Sequence, residues 1–216
     1  MSVKLERDKN FVPIDDLTRR DLQIISNMVD AGSRVLDIGC GNGALLDYLG
    51  RNKGVDGRGI ELSQSGVNAC VANGLSVIQG DADKDLEHYP QDAFDYVVLT
   101  RTLQATRNPL EVVKSLVRIG RHAVISFENF GHWRLRLKIL LTGRMPVVGD
   151  EGHSWYDSSN IRVCTIRDFA TMCDQLGLRV QRALSLSRSG SIRELKSTGV
   201  IANVFGEEAI FLLTRD

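Results

Sequence analysis

Ten residues constrain this chain more than any others: Arg34-Val35-Leu36-Asp37-Ile38-Gly39-Cys40-Gly41-Asn42-Gly43. The apolar run from Val35 to Ile38 reads as a buried parallel strand, and three alternate glycines follow it directly. Ala44-Leu45-Leu46-Asp47-Tyr48-Leu49 then opens with helical spacing. Glycines at such a junction let the main chain turn at positive φ and let a ligand press against bare backbone. The helix start behind them offers unpaired N–H groups and the positive end of a dipole. A plain turn needs one or two such glycines. Three imply a cradle for a nucleotide-type ligand.

Two ligands compete for that cradle. Gly39, Gly41 and Ala44 fit the dinucleotide pattern G-x-G-x-x-G/A, and Glu61 stands about 20 residues on, where a ribose-binding acid belongs. Against a dinucleotide, the Asp37 charge inside the turn opposes a pyrophosphate but suits an ammonium or a sulfonium. A second acid, Asp81, follows the third strand, where it can accept from an adenine amino group. A cationic, amino-acid-bearing nucleoside satisfies all of these, and S-adenosylmethionine is such a molecule. The dinucleotide stays behind it as the alternative.

Acidic and basic side chains balance at 27 each, without the basic excess of a nucleic-acid binder. The 216 residues are ample for a one-domain core. Cys40, Cys70, Cys164 and Cys173 form no C-x-x-C pair, so neither a metal site nor a redox couple is expected. The first residues are too polar for a signal peptide, and no apolar run approaches the roughly 20 residues that span a bilayer. A cytoplasmic protein that touches neither nucleic acid nor membrane is the expectation. Residues 1–16 read as a flexible segment ahead of a single domain, 17–216.

Along the chain, Leu17, Leu22, Ile24, Ile25, Met28 and Val29 predict a helix on the sheet edge, with Arg19, Arg20 and Asp21 on its other face, read as solvated ahead of the alternative of ligand contact. Strands are predicted at 34–38, 58–62, 76–79, 96–100, 123–127, 178–186 and 209–213, with helices between the early ones. Ser63 is read as an N-cap and Gly74 as a stop. Asp83 and Asp85 are read as ordinary loop acids. Leu110, Val113, Leu116 and Val117 are the expected core face of a helix opened by Asn108-Pro109. Thr165 is the expected cap of a helix over 166–176. The glycine- and serine-rich stretch from Ser187 to Gly206 is read as a mobile basic loop.

Residues 128–162 break the generic pattern. Trp133, Leu137, Leu140 and Leu141 share a helical stripe among Arg134, Arg136 and Lys138, and a loop with Glu151, His153, Trp155 and Tyr156 follows. One reading is an amphipathic helix lying over the sheet. Another is a lid or a docking surface, because Trp, Tyr and Arg are the residue types that anchor interfaces; a membrane-surface helix comes third, since the stripe is short and its charge modest. His132 and His153 lack metal-ligand spacing and are read as satisfied histidines.

Asp37-Ile38-Gly39-Cys40-Gly41-Asn42-Gly43 resembles the first motif of class I S-adenosylmethionine-dependent methyltransferases. Gln79-Gly80-Asp81, Phe94-Asp95-Tyr96-Val97-Val98, Thr102-Leu103-Gln104-Ala105, Phe130-Gly131-His132-Trp133-Arg134, Gly143-Arg144-Met145-Pro146-Val147 and Ser154-Trp155-Tyr156-Asp157 narrow the resemblance to the MetW family of methionine biosynthesis. It covers the chain from about Arg20 to its end.

The resemblance implies an α/β Rossmann-like fold, with a seven-stranded, mostly parallel sheet, an antiparallel last strand and helices on both faces. It implies that S-adenosylmethionine or S-adenosylhomocysteine lies against Gly39, Cys40, Gly41 and Gly43. Asp37 would serve the amino-acid end and Glu61 the ribose, with Leu62 beside it. Asp81 and Ala82 would meet adenine, and Thr100 would border the site. It further implies a partner, a homoserine O-acyltransferase contacted through the Phe130–Tyr156 region. Many related small-molecule methyltransferases carry Glu-His where Gln104-Ala105 stands here, and the Asn-Pro-Pro-Tyr-type motif is missing. Those absences put a ligand-binding protein that enables the acyltransferase first and leave an active small-molecule methyltransferase as the alternative function. Arg162 also departs from the family, where histidine is usual.

Overall fold

Apolar residues alternate between the two faces of the central strands, and this alternation sets the layers. In the computed structural model, residues 20–146, 155–187, 191–195 and 199–215 are described. In chain order these hold α1 (Arg20–Met28), β1 (Arg34–Ile38), α2 (Ala44–Lys53), β2 (Asp56–Glu61), α3 (Gln64–Ala72) and β3 (Ser76–Gln79). β4 (Phe94–Thr100), α4 (Pro109–Ile119), β5 (Gly120–Glu128) and α5 (Trp133–Thr142) follow. The chain continues through α6 (Ile166–Gln175), β6 (Leu178–Leu186), β7 (Ile192–Glu194), α7 (Val200–Phe205) and β8 (Glu208–Arg215). The expected N-terminal segment, the start of the first predicted helix at Leu17, Arg19, and the loop residues Glu151 and His153 lie outside the described residues.

One sheet runs through the molecule in the order β3-β2-β1-β4-β5-β8-β6-β7. β3, β2, β1, β4 and β5 are parallel, and β8 inserts antiparallel between β5 and β6. The expected seven strands are present with the expected antiparallel last strand. β7 is an eighth, short strand paired with the end of β6. Val35, Tyr96, Val98, Val124 and Ile210 face α1 and α2, where Ile25 and Leu49 are fully buried. Leu36, Val97, Leu99, Ile125 and Phe127 face α4 and α6, and there Phe127, Phe169 and Phe211 stack with ring centroids 4.7–5.9 Å apart. The strand order reverses at β1, whose neighbours are β2 and β4. That is the switch point where a crevice opens at the carboxyl ends of the strands.

Four expectations need correction. α1 packs across the face of β4, β5 and β8 rather than on an edge, and Lys53 at the end of α2 donates to its last carbonyls at Ser26 and Val29. Asp21, expected on a solvated face, is 2% exposed and pairs with Arg101 at 3.5 Å. Leu110 is exposed while Val112 and Ile119 are buried with the expected Val113, Leu116 and Val117, so the packed face of α4 begins later than predicted and is wider. The Ser187–Gly206 stretch contains β7 and α7 rather than only loop. A run of three residues and a single helical turn and a half are too short to show a period in sequence.

α5 also departs from the helix-over-sheet reading. None of its residues is buried, and Leu140 is 79% exposed. It projects from the body with Gly143 in the left-handed region (φ +62°) as its stop.

Candidate cofactor site

All ten residues singled out for cofactor binding lie at the carboxyl ends of the adjacent strands β3, β2, β1 and β4, or in the loops leaving them. The turn from β1 into α2 is built on positive φ at Gly39 (+71°), Gly41 (+58°) and Gly43 (+79°). The three glycines do different work. A Cβ on Gly39 would sit 2.4 Å from Thr102 Oγ1, and one on Gly43 would sit 2.3 Å from Leu75 Cδ1. Those two are needed for packing. A Cβ on Gly41 would meet nothing within 4 Å, so its bare backbone faces open space.

Glu61, the last residue of β2, reaches back to this turn. Its carboxylate accepts from Gly41 N at 2.8 Å and from Ser63 N at 2.9 Å. One side chain therefore fixes the tip of the turn and the entry to α3. Ser63 caps α3 as expected, accepting from Gly66 N at 3.1 Å. Gly66 in turn lets α3 approach closely, since a Cβ there would lie 2.9 Å from Gly41 O. Leu62, beside Glu61, is an apolar side chain left 66% exposed. Asp37 is buried inside the turn. Cys40 and Cys70 lie beneath it, and the Cys70 thiol donates to Gly41 O at 3.3 Å. Hydrogen bonding with Cys70, burial and the nearby Asp37 and Glu61 charges push the Cys40 thiol far up, so it stays protonated.

The loop after β3 is tied by its own acids. Asp81 accepts from Asp83 N at 3.0 Å, and Lys84 stands 3.2 Å from it. The Asp83 N–H, with Lys84 adding to it, holds the Asp81 carboxyl below its ordinary range. Asp85 accepts from Asp81 N, and Asp83 accepts from Arg107 N and Asn108 N at the entrance to α4. Asp83 and Asp85 are loop acids, as expected, and they are what shapes the loop. Ala82 packs against the core beneath.

At the end of β4, Thr100 Oγ1 is buried without a hydrogen-bond partner. The next residue, Arg101, adopts φ +53°, an uncommon conformation for a side chain of its size. Its guanidinium grips Glu208 through two bonds of 3.1 and 2.8 Å. Burial opposes the Arg101 charge, but Glu208 and Asp21 hold it on, well above its usual range. Burial pushes the Glu208 carboxyl up against the pull of Arg101. This three-residue clamp joins α1, β4 and β8 beside the crevice. Sequence reading missed it, since its only local signal is an acid on the apolar side of α1.

The segment beyond offers no base. Thr102 Oγ1 donates to Thr100 O at 3.0 Å, and Thr106 Oγ1 to Leu103 O at 2.7 Å. Gln104 is buried, bonded through its side chain to both Glu128 N and Glu128 O, and it accepts from Arg162 N at its own carbonyl. Arg162 also donates to Arg107 O at 3.1 Å, so this departure from the family has a structural role. His132 is buried beside Glu207 at 3.8 Å. Among the described residues no cluster of three potential metal ligands occurs.

The residues fit an adenosine-bearing ligand. The crevice presents an open glycine backbone, an exposed apolar side chain next to an acid, and an orphaned hydroxyl across from them.

Comparison with known proteins agrees with this architecture. The S-adenosylmethionine-dependent methyltransferase of Archaeoglobus fulgidus superposes with a TM-score of 0.67 at 16% identity, covering 92% of this chain and 93% of that one. The [4+2]-cyclase SpnF superposes with a TM-score of 0.64 at 18% identity over 97% and 85% of the two chains. The fold is thus the class I methyltransferase fold, and such folds host more than one chemistry.

In sequence, a ubiquinone biosynthesis O-methyltransferase of Cupriavidus pinatubonensis is 31% identical over 67% of this chain and 58% of its own length. The bifunctional methionine biosynthesis protein MetXA/MetW of Rhodopirellula baltica is 36% identical over 176 residues, 77% of this chain. The match spans only 28% of that relative's length. The family described as methionine biosynthesis protein MetW matches residues 19–213, and the chain belongs to it.

Proposed function

We propose that this protein binds S-adenosylmethionine or S-adenosylhomocysteine and enables a homoserine O-acyltransferase, rather than transferring methyl groups itself. One observation carries the second half. α5 holds its apolar residues out to solvent with none buried, whereas the segment bordering the crevice has its hydroxyls and Gln104 committed to backbone. A relative in which MetXA and MetW form one polypeptide supports the choice of partner.

For the ligand, Gly41 would receive the amino-acid end beside Asp37, Glu61 the ribose hydroxyls, and Leu62, Asp81 and Ala82 the adenine. Gly39, Cys40 and Gly43 would shape the floor, and Thr100 would close the far side. The bound molecule would supply a sulfonium or thioether that reports the methylation state of the cell.

A ligand that binds only the native state stabilises it by roughly 2.7 kcal/mol at 100 times its dissociation constant. Millimolar S-adenosylhomocysteine should therefore raise the melting temperature of the wild type clearly, and that of Glu61→Ala much less. Equal shifts in the two proteins would remove Glu61 from the site.

For the partner, Trp133 and the edge-to-face pair Trp155–Tyr156, with centroids 5.7 Å apart, are the candidate anchors. Exposed apolar patches of this kind mark interaction sites. Truncating a central anchor costs roughly 2 kcal/mol or more, about thirtyfold in affinity. The test co-expresses the acyltransferase of the same genome, purifies through one tag, and assays homoserine acylation with and without this chain. Loss of co-purification in Trp133→Ala or Trp155→Ala is the expected result. If the acyltransferase neither co-purifies nor changes in activity, a small-molecule methyltransferase becomes the better account.

A further inference from the structure

A cavity of about 260 Å³ opens where β6, β7, α7 and the start of α5 meet. It is separate from the glycine turn. β6 stands four strands away from β1 in the sheet, roughly 19 Å at the usual strand spacing. Its polar wall carries Arg134, Arg193 and Glu207, and its apolar wall carries Trp133, Leu186 and Phe205.

The charges do not cancel. Arg134 is 3.5 Å from Glu207 and lies over the Trp133 ring, 5.5 Å from its centroid. Arg193, on the exposed strand β7, has no ion-pair partner among the described residues. One guanidinium is therefore left over to face the cavity. Ser187 and Ser191 hydroxyls, 2.7 Å apart, stand beside it as further hydrogen-bonding groups. Phe205 and Trp133 remain 56% and 42% exposed although they line the same space.

We propose that this cavity is a second ligand site, which takes a small carboxylate carrying a short unbranched apolar chain. The Arg193 guanidinium presents paired donors that match a carboxylate. The indole of Trp133 and the rings and methyls around it cover the chain. The volume sits just under the range of drug-sized pockets, which suits a small ligand. A free carboxylic acid and an α-amino acid share this chemistry. In the second, Glu207 would also meet the ammonium.

The test uses the full chain alone, so its outcome does not depend on the partner or on the cofactor reading. The chain has two tryptophans, so Trp155→Phe leaves Trp133 as the only indole reporter. Hexanoate, norleucine, hexylamine and inorganic phosphate are titrated by calorimetry and by Trp133 emission. The expected result is binding of hexanoate or norleucine that shifts the emission, with hexylamine and phosphate at least roughly tenfold weaker. Arg193→Ala should weaken that binding by roughly tenfold or more, while the S-adenosylhomocysteine thermal shift stays as in the parent protein. Preference for hexanoate identifies the free acid, and preference for norleucine the amino acid. The proposal is overturned if neither binds at millimolar concentration, if hexylamine or phosphate binds as well, or if Arg193→Ala binds like the parent.

Discussion

Gly41→Val is expected to keep most of its stability and to lose binding of S-adenosylhomocysteine, whereas Gly43→Val is expected to lose much more of its stability. Both residues have positive φ, +58° and +79°, so both substitutions carry the left-handed penalty of about 1–2 kcal/mol. They differ in what surrounds them. A side chain at Gly41 enters open space, and that space is where the ligand must approach the backbone. A side chain at Gly43 drives into Leu75 at 2.3 Å and Cys70 at 2.9 Å, between α2 and α3. Overpacking of that kind adds about 1–3 kcal/mol. Gly43→Val should therefore lose roughly 2–5 kcal/mol and Gly41→Val only the backbone share, about 1–2 kcal/mol. Urea unfolding measures the stabilities, and calorimetry with S-adenosylhomocysteine measures the affinity. Wild-type affinity in Gly41→Val would mean that the cradle has been misplaced. Equal stabilities would mean that Leu75 and Cys70 yield, and the division of labour among the glycines would fall.

That division was not legible in the sequence, where the three glycines look alike. Motif reading located the turn, both flanking elements and the acids at the ends of β2 and β3, because each is set by local pattern. β1, β3 and β6 were predicted with the bounds they have, since their apolar runs end at glycines or polar turns. What escaped was set by contacts distant in sequence. Arg101 reads as a loop arginine until β8 brings Glu208 and α1 brings Asp21 to it. The same holds for Gln104, which is recognisable as lacking a base but not as a bridge to both main-chain groups of Glu128. Leu110 was misassigned because a helix opened by proline presents its first apolar residue before the packed face begins.

The docking reading of α5 shows a different limit. Its sequence alternates apolar and basic residues, and that pattern suits a helix lying on a sheet as well as one standing clear. In the structure none of the α5 residues is buried, so the helix stands clear of the sheet. The exposure of the stripe is therefore visible only in the structure, while the apolar and basic residues along it are a property of the sequence.

The same junction yields the second large effect. Asn129→Ala is expected to destabilise the protein by roughly 4 kcal/mol or more, since each of the four buried backbone groups stripped of its partner costs about 1–3 kcal/mol. Asn129 is buried at the end of β5, and its side chain makes four bonds to main chain. Its Oδ1 accepts from Gly131 N at 2.9 Å and Ile166 N at 3.2 Å, and its Nδ2 donates to Asn203 O at 2.8 Å and Gly206 O at 2.6 Å. Through them it fastens the root of α5, the first turn of α6 and the end of α7. Alanine leaves two donors and two acceptors unmatched in a place without room for bulk water. Asn129→Asp should fare no better, because it keeps the acceptor but turns a second oxygen onto the Asn203 and Gly206 carbonyls. Urea unfolding of both variants is the measurement, against a total stability of about 5–15 kcal/mol for ordinary domains. A loss below about 1 kcal/mol in Asn129→Ala would show that α5, α6 and α7 hold their places without this residue. The glycine cradle gives a control within the same protein. It is built from β1, β2, α2 and α3, none of which Asn129 touches, so variants that remain folded should bind S-adenosylhomocysteine as the wild type does, while losing the acyltransferase if α5 is its docking helix.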